Sequence, residues 1–214
     1  MLRAAGAALP DSDDAAEILA GCRRLEAGAG EPYFQASFPR AELLLVEEGF
    51  VVLRSAPPGF GRAIITSEAG PGWVLLPPAA EEVLLGLVDS RLVEITGAVR
   101  DQLLGVPGAA QTLVEQMALM LSQKQEALGN FAYTRHIERV RRRLLQLAKS
   151  YGRVVHDGIR IDFPVSHTVL ADMIGSSRET VTRAVDELQR RGFVARRGHT
   201  YRLLVSPEHV LGPD

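Results

Sequence analysis

Arg178, Glu179, Thr182 and Arg183 stand close together in the stretch SSRETVTRAVDELQRRG. A guanidinium presents its donors in a fixed fork and can address the O6 and N7 of a guanine together. An ionised carboxylate accepts from a cytosine amine, and a threonine offers a methyl or a hydroxyl. Such side chains read bases only when a rigid element carries them into a groove. Here Val181, Ala184, Val185 and Leu188 supply the opposite face, because at about 100° per residue they fall together on one side of a helix. The spacing therefore predicts a helix that docks with one face and offers the other. Either hydroxyl of Ser176-Ser177 can cap its first turn, Ser176-x-x-Glu179 also fits a capping box, and Gly192 ends it.

The surrounding chain is what must hold that helix. Val169, Leu170, Met173 and Ile174 recur at helical spacing and Gly175 follows as a stop, so the stretch Ser166 to Gly192 is a helix-turn-helix. Ahead of it, Tyr133 to Tyr151 predicts a basic helix with Ile137, Val140, Leu144, Leu145 and Leu147 inward and Arg139, Arg141, Arg142 and Arg143 mostly outward. Ile159 to Phe163 alternates as a strand that Pro164 closes. Phe193 to Val205, with Arg197-Gly198-His199 at its tip, predicts a hairpin wing whose Arg196, Arg197, His199 and Thr200 meet the DNA backbone.

SSRETVTRAVDELQRRGFV resembles the recognition helix of the Crp/Fnr superfamily of bacterial transcription regulators, whose pattern R-E-x-x-x-R is met at Arg178, Glu179 and Arg183. GNFAYTRHIERVRRRLLQLAK resembles that family's join between dimer helix and DNA-binding domain. The likeness is strong from Gly129 to about Val205 and weak from Leu43 to Leu128. It implies a homodimer that places two recognition helices in successive major grooves of a palindromic, TGTGA-like operator. Arg178, Glu179, Arg183 and Thr182 would then read bases, while Ser177, His167, Thr168, Arg197 and His199 would position the protein on phosphates and sugars. RNA polymerase follows as a further partner of such a regulator.

In the first half, six apolar runs, Leu43–Val46, Phe50–Leu53, Ala63–Thr66, Val74–Leu76, Val83–Val88 and Leu92–Ile95, are separated by Gly- and Pro-rich turns. Short strands at that spacing predict an antiparallel sandwich or roll. LLLVEEGFVVL resembles the early strand-turn-strand of the superfamily's cyclic-nucleotide-binding β-roll, with Gly49 as its structural glycine. Nucleotide-binding members hold the phosphate with a Gly-Glu-Leu segment followed by Arg-Ser/Thr-Ala. At that place this chain has Pro77-Pro78-Ala79-Ala80-Glu81-Glu82, and there is no Arg between Arg62 and Arg91. Prolines remove amide donors and the carboxylates repel a phosphate, so cyclic AMP is not the expected effector. A roll interior filled by Leu75, Leu76, Leu84 and Leu85 would suit a regulator that needs no effector. The alternative is a ligand-gated regulator that senses another small molecule there. Before the roll, Asp11 to Leu25 predicts one helix, capped by Asp11 or Ser12, with Ile18, Leu19, Cys22 and Leu25 buried and Cys22 an inert thiol.

Between the halves, Thr96 to Leu104 is helical in pattern. A long helix is expected from about Pro107, with Val114, Met117, Leu121, Leu128 and Phe131 along one stripe and Leu113 and Met120 turned toward the roll. Residue spacing alone favours packing of that stripe on its own domain. The resemblance implies instead a parallel dimer seam, with Lys124 and Gln125 as possible effector contacts and Gly129-Asn130 as hinge. The expected architecture is α+β: residues 1–106 an N-terminal antiparallel β-roll, 107–131 the dimerisation helix, 132–214 a C-terminal winged helix-turn-helix.

Charge divides the same way. Residues 1–134 carry 9 Lys/Arg against 17 Asp/Glu, and residues 135–214 carry 15 against 9, so the second half is the one suited to a polyanion. The lone Cys22 excludes disulfides and multi-cysteine metal sites. No apolar run reaches the ~20 residues of a membrane span, and no leader pattern opens the chain, which leads to the expectation of a cytoplasmic protein without membrane association. Hydrolase, nucleotide-loop and paired-histidine metal motifs are absent, and Ser176, His167 and Asp172 read as caps and helix surface. No enzyme activity and no cofactor are expected. All five histidines lie outside the roll, which argues against haem there.

Overall fold

The computed structural model describes residues 13–56, 59, 61–131, 135–206 and 210, with backbone alone at 126–128, 130 and 131. Helices α1 (Asp13–Ala20), α2 (Gly97–Leu104) and α3 (Ala109–Phe131) flank strands β1 (Arg24–Ala27), β2 (Pro32–Tyr33), β3 (Leu43–Glu48), β4 (Val51–Ser55), β5 (Ile64–Ala69), β6 (Val74–Leu75), β7 (Glu82–Gly86) and β8 (Ser90–Ile95). Then follow α4 (His136–Tyr151), β9 (Gly152–Val155), β10 (Gly158–Ile161), α5 (His167–Ile174), α6 (Arg178–Arg190), β11 (Val194–Arg197) and β12 (Thr200–Leu203). The chain divides into two compact units, one holding most residues up to Lys124 and the other most residues from Gln125 onward.

The first unit is the expected antiparallel roll. It holds two four-stranded antiparallel sheets, ordered β1-β8-β3-β6 and β2-β7-β4-β5. Each of the six apolar runs became a strand, because each is long enough for a pleated ladder and is bounded by turn residues. The core beneath the first sheet joins Leu43, Leu45, Val93 and Ile95 to Leu103 and Leu113, with Ile18, Leu19 and Cys22 of the amino-terminal segment packed against it. Burial raises the Cys22 thiol above its ordinary pKa, which agrees with an inert side chain.

Several boundaries differ from those expected. The amino-terminal helix stops at Ala20, and Leu25 lies on β1, whose residues pair with β8 from Arg24↔Val93 to Ala27↔Ser90. Pairing with an open edge of β8 outweighs helix continuation there. The proposed caps Asp11 and Ser12 lie outside the described residues. Helix α3 begins at Ala109, after a turn in which Gly108 takes φ +82°, two residues beyond Pro107. Gly129 and Asn130, the expected hinge, lie within α3 as helix. Tyr133 lies outside the described residues, and α4 is described from His136.

Gly49 sets the β3–β4 turn at φ +89°, a conformation that side chains other than glycine rarely adopt. A Cβ there would stand 2.2 Å from Ser90 Oγ and 2.6 Å from the Asp89 carbonyl oxygen. Ser90 in turn accepts the Phe50 amide at 3.0 Å and donates to the Val88 carbonyl at 2.7 Å, so the two turns are locked back to back. Gly49→Ala is therefore expected to destabilise the roll by about 2–5 kcal/mol, from left-handed strain and overpacking together. A urea titration of the variant against the parent measures it, and an unchanged midpoint would contradict the clash.

The second unit packs α4, α5 and α6 around Leu144, Leu147, Leu170, Val181, Val185 and Leu188, all buried. Its sheet, ordered β11-β12-β10-β9, shows that the wing hairpin is half of a four-stranded antiparallel sheet. Arg143 was expected to point outward but is only 4% exposed. It sits three residues after Val140 and four before Leu147, on the stripe itself, and helical spacing prevails over residue type. Its Nη1 reaches Gln146 Oε1 at 3.5 Å, and the stem adds to the packing of α4.

Candidate nucleic-acid interface

The turn between α5 and α6 is fixed by backbone chemistry. Ser166 caps α5 by accepting the Val169 amide at 3.1 Å. Gly175 takes the left-handed conformation at φ 61° and lets the chain reverse. Ser177 then caps α6, its Oγ accepting the Thr180 amide at 3.2 Å. The Ser176–Glu179 capping box does not form. Ser176 is buried, with Oγ 3.1 Å from His136 Nδ1. Its hydroxyl thus ties the start of the recognition helix to α4, and burial followed by Arg139 lowers the His136 pKa.

On α6 the two faces separate as the sequence predicts. Val181, Ala184, Val185 and Leu188 are buried, and Arg178, Glu179 and Arg183 are exposed. Arg178, Glu179, Thr182 and Arg183 line an open groove of about 570 Å³. Neither Arg178 nor Arg183 forms an ion pair among the described residues. Other cations of this unit are engaged: Arg190 and Arg191 with Glu187, Arg153 and Arg160 with Asp162, Arg202 with Asp157. Arg178 and Arg183 are thus left available at the reading end of α6. Glu179 bonds to its own backbone amide and to the Ser177 hydroxyl, and with Arg178 and Arg183 nearby these hold its pKa below the usual carboxylate value. The group stays ionised, as an acceptor of base amines must.

Thr182 is differently placed. Its hydroxyl donates to the Arg178 carbonyl at 2.9 Å and lies 2.7 Å from His167 Nδ1, which leaves the methyl as the free contact. His167, expected to touch phosphates from the surface, is buried at 9% exposure. It still lines a cavity of about 270 Å³ with Ser166, Thr168, Arg178, Arg196 and His199. Thr168, Arg197 and His199 are exposed, and Ser177 is half-buried. The His199 carbonyl accepts the Val165 amide at 2.7 Å, which pins the wing tip beside the start of α5. Arg196 lies over the Tyr201 ring at 5.8 Å, and burial pushes the Tyr201 hydroxyl up to about 12. The bond between His167 and Thr182 was not legible in the sequence, since it joins two helices. The periodicity of α6, which puts Thr182 one turn after Arg178, was its only trace.

In the first unit, the segment expected at the place of the phosphate cradle carries a carboxylate bonded within it and to β5. Glu82 accepts the Thr66 hydroxyl at 2.7 Å and the Ala79 amide at 3.2 Å. Leu75 and Leu84 are buried, but Leu76 is 45% exposed and does not fill the interior as expected. It lies just beyond β6, whose two residues Val74 and Leu75 are both buried. Gln116 of α3 is buried and bonds the Val74 amide at 2.6 Å and the Gly72 carbonyl at 2.9 Å. Leu113 and Met120 are buried as expected, while Val114, Met117 and Leu121 are 66%, 54% and 59% exposed. The side chains of Leu128 and Phe131 lie outside the described residues. Lys124 is half-buried and Gln125 exposed. No cluster of metal-ligating side chains occurs among the described residues, and no described helix is long and apolar enough to cross a membrane.

Comparison with known proteins agrees with this geometry. Residues 138–208 match the Crp-like helix-turn-helix domain. The chain is 28% identical over 101 residues to the CRP-like cAMP-activated global transcriptional regulator of Mycobacterium tuberculosis, covering 47% of this chain and 45% of the relative. It is 33% identical over 95 residues to the cAMP-activated global transcriptional regulator CRP of Salmonella typhimurium, covering 44% of each. The match thus spans less than half the length of these curated relatives. In fold the likeness is wider: a CooA mutant from Carboxydothermus hydrogenoformans superposes with a TM-score of 0.78 over 95% of this chain and 94% of its own, at 16% identity. Residues 138–208 thus form a Crp-like helix-turn-helix domain, and the chain along most of its length shares its fold with the solved regulator, in line with the resemblance to the Crp/Fnr superfamily.

Proposed function

We propose that this protein is a sequence-specific DNA-binding transcription regulator that acts as a homodimer on a palindromic operator with TGTGA-like half-sites, without cyclic AMP. The observation that carries the reading is the two guanidiniums, Arg178 and Arg183, in no ion pair among the described residues and exposed with Glu179 on the outer face of a capped helix. Bidentate donors to guanine and an ionised acceptor for cytosine form a reading set, and Thr182 adds a methyl suited to thymine. Ser177, Thr168, Arg197 and His199 surround it as backbone contacts, and His167 stands behind them. RNA polymerase is the natural further partner of a DNA-bound regulator, which acts by contact.

Independence from cyclic AMP is supported by Glu82. Its carboxylate takes the amide and hydroxyl donors that an incoming phosphate would need, and like charges repel. The test joins both claims. Fluorescence anisotropy of the full chain with a TGTGA-containing palindromic duplex is expected to show tight, salt-dependent binding that cyclic AMP leaves unchanged. Equal affinity for a scrambled duplex would overturn sequence-specific reading. A cyclic-AMP-dependent rise in affinity or melting temperature would overturn the effector-free reading and favour a ligand-gated regulator, with Lys124 and Gln125 as candidate contacts.

A further inference from the structure

The cavity between the start of α5, the start of α6 and the wing tip is lined by Arg178, Arg196, His167 and His199, with the hydroxyls of Ser166 and Thr168. His167 is nine-tenths buried there, and its tautomer follows from its neighbours. Thr182 has one hydroxyl proton and gives it to the Arg178 carbonyl. The 2.7 Å contact with His167 Nδ1 therefore requires Nδ1 to be the donor. In the neutral ring Nε2 then carries only a lone pair. Nε2 is buried without a hydrogen-bond partner among the described residues, and so is Arg196 Nε. Buried polar nitrogens are ordinarily bonded. A positively lined cavity bordered by two that are not is completed by an oxyanion. Arg196 is ready to donate to one, whereas the lone pair of His167 would repel it until Nε2 gains a proton.

We propose that this cavity binds a phosphate oxyanion with uptake of one proton by His167, so that the affinity of the protein for DNA rises as pH falls. The inference rests on the DNA-binding reading only for the source of the phosphate; the anion site stands on its own geometry. The charged groups facing His167 are Arg196 from β11, Arg178 and Asp186 from α6, and His199 from the wing turn. Burial first, then Arg196, holds the free imidazole below its ordinary pKa, with Asp186 opposing. A bound phosphate adds negative charge beside Nε2 and raises that pKa. Binding is then linked to proton uptake between the two values: affinity rises by up to tenfold per pH unit as pH falls through this window, and is flat above and below it.

The test follows the His167 ring resonance by NMR through a pH titration of the full chain. It is run alone, with sulfate (whose charge is constant over the range), and with the half-site duplex. Both additions are expected to raise the His167 pKa. In parallel, duplex affinity measured by anisotropy from pH 5 to 8, a range flanking the ordinary histidine value, should lose its excess slope in His167→Gln and keep it in His156→Gln, a change at an exposed histidine in the β9–β10 turn, outside the cavity. A rise with sulfate but no duplex binding at any pH would keep the anion site and remove the DNA-binding reading. A rise with the duplex but not with sulfate would restrict the site to a phosphodiester. An unshifted His167 pKa in both additions, or an undiminished slope in His167→Gln, overturns the proposal, and the NMR arm needs no variant to fold.

Discussion

Replacing Arg178 by alanine is expected to weaken binding to a half-site duplex by ~1–3 kcal/mol and to abolish discrimination at one base pair. The side chain is exposed on α6, lines the groove with Glu179 and Arg183, and forms no ion pair among the described residues. Its backbone is held twice, by the Ser177 cap one residue before it and by Thr182 bonding its carbonyl. The loss should thus come from the guanidinium and leave the helix in place. Arg183→Ala, one turn further along the same face, is expected to relax preference at a different base pair. Anisotropy titrations against duplexes substituted at each position separate these effects from phosphate contacts. A phosphate contact would weaken every sequence alike and reduce the salt slope by about one. If Arg178→Ala behaves so, its base-reading role is lost.

The carboxyl-terminal unit was legible in detail because its signals are local. Ser177, Val181, Ala184, Val185 and Leu188 announce a capped amphipathic helix within a dozen or so residues, and the structure buries the apolar four and caps with Ser177. What escaped were contacts between elements. Ser176 bonds His136 across a separation of 40 residues, and His167 meets Thr182 from another helix. Neither residue type nor periodicity encodes such a pairing, so Ser176 read as a capping-box residue and His167 as surface. Arg143 shows the opposite failure. Its position on the Val140–Leu144–Leu147 stripe was visible in the spacing, but its charge suggested solvent.

In the roll the strands were legible and their partners were not. The short strand β1 carries the alternation exposed, half-buried, exposed, buried over only four residues, too few to stand out from a helix of similar composition. It exists because β8 offers it an edge. Glu82 lies within a segment marked from the sequence as unfit for phosphate. Only the fold shows that its carboxylate is received by Thr66 from β5 and by the Ala79 amide. This makes the unsuitability a matter of occupation as well as of charge.

In the proposed homodimer, Met117→Glu is expected to turn dimer into monomer and, through that, to weaken binding to the palindromic duplex more than any single base-reading change. Val114, Met117 and Leu121 follow one another at spacings of three and four along α3 and are each more than half exposed in the single chain. Leu113, Gln116 and Met120, on the adjoining face, are buried. The helix therefore has an inner face that the roll covers and an outer apolar seam with the alternation of a parallel coiled coil. Burying such side chains contributes ~1.5–3 kcal/mol each, and a two-fold interface contains every substitution twice. A glutamate pair at the centre should then cost on the order of 3–6 kcal/mol of dimer stability, a hundredfold or more in dissociation constant. Because residue 117 is exposed in the monomer, the variant should keep its fold by circular dichroism and thermal melting. Sedimentation equilibrium reads the assembly directly, and the same samples in anisotropy should show half-site binding retained while the advantage of the palindrome disappears. A wild-type chain that sediments as a monomer, or a Met117→Glu dimer as tight as the parent, would remove the seam from α3.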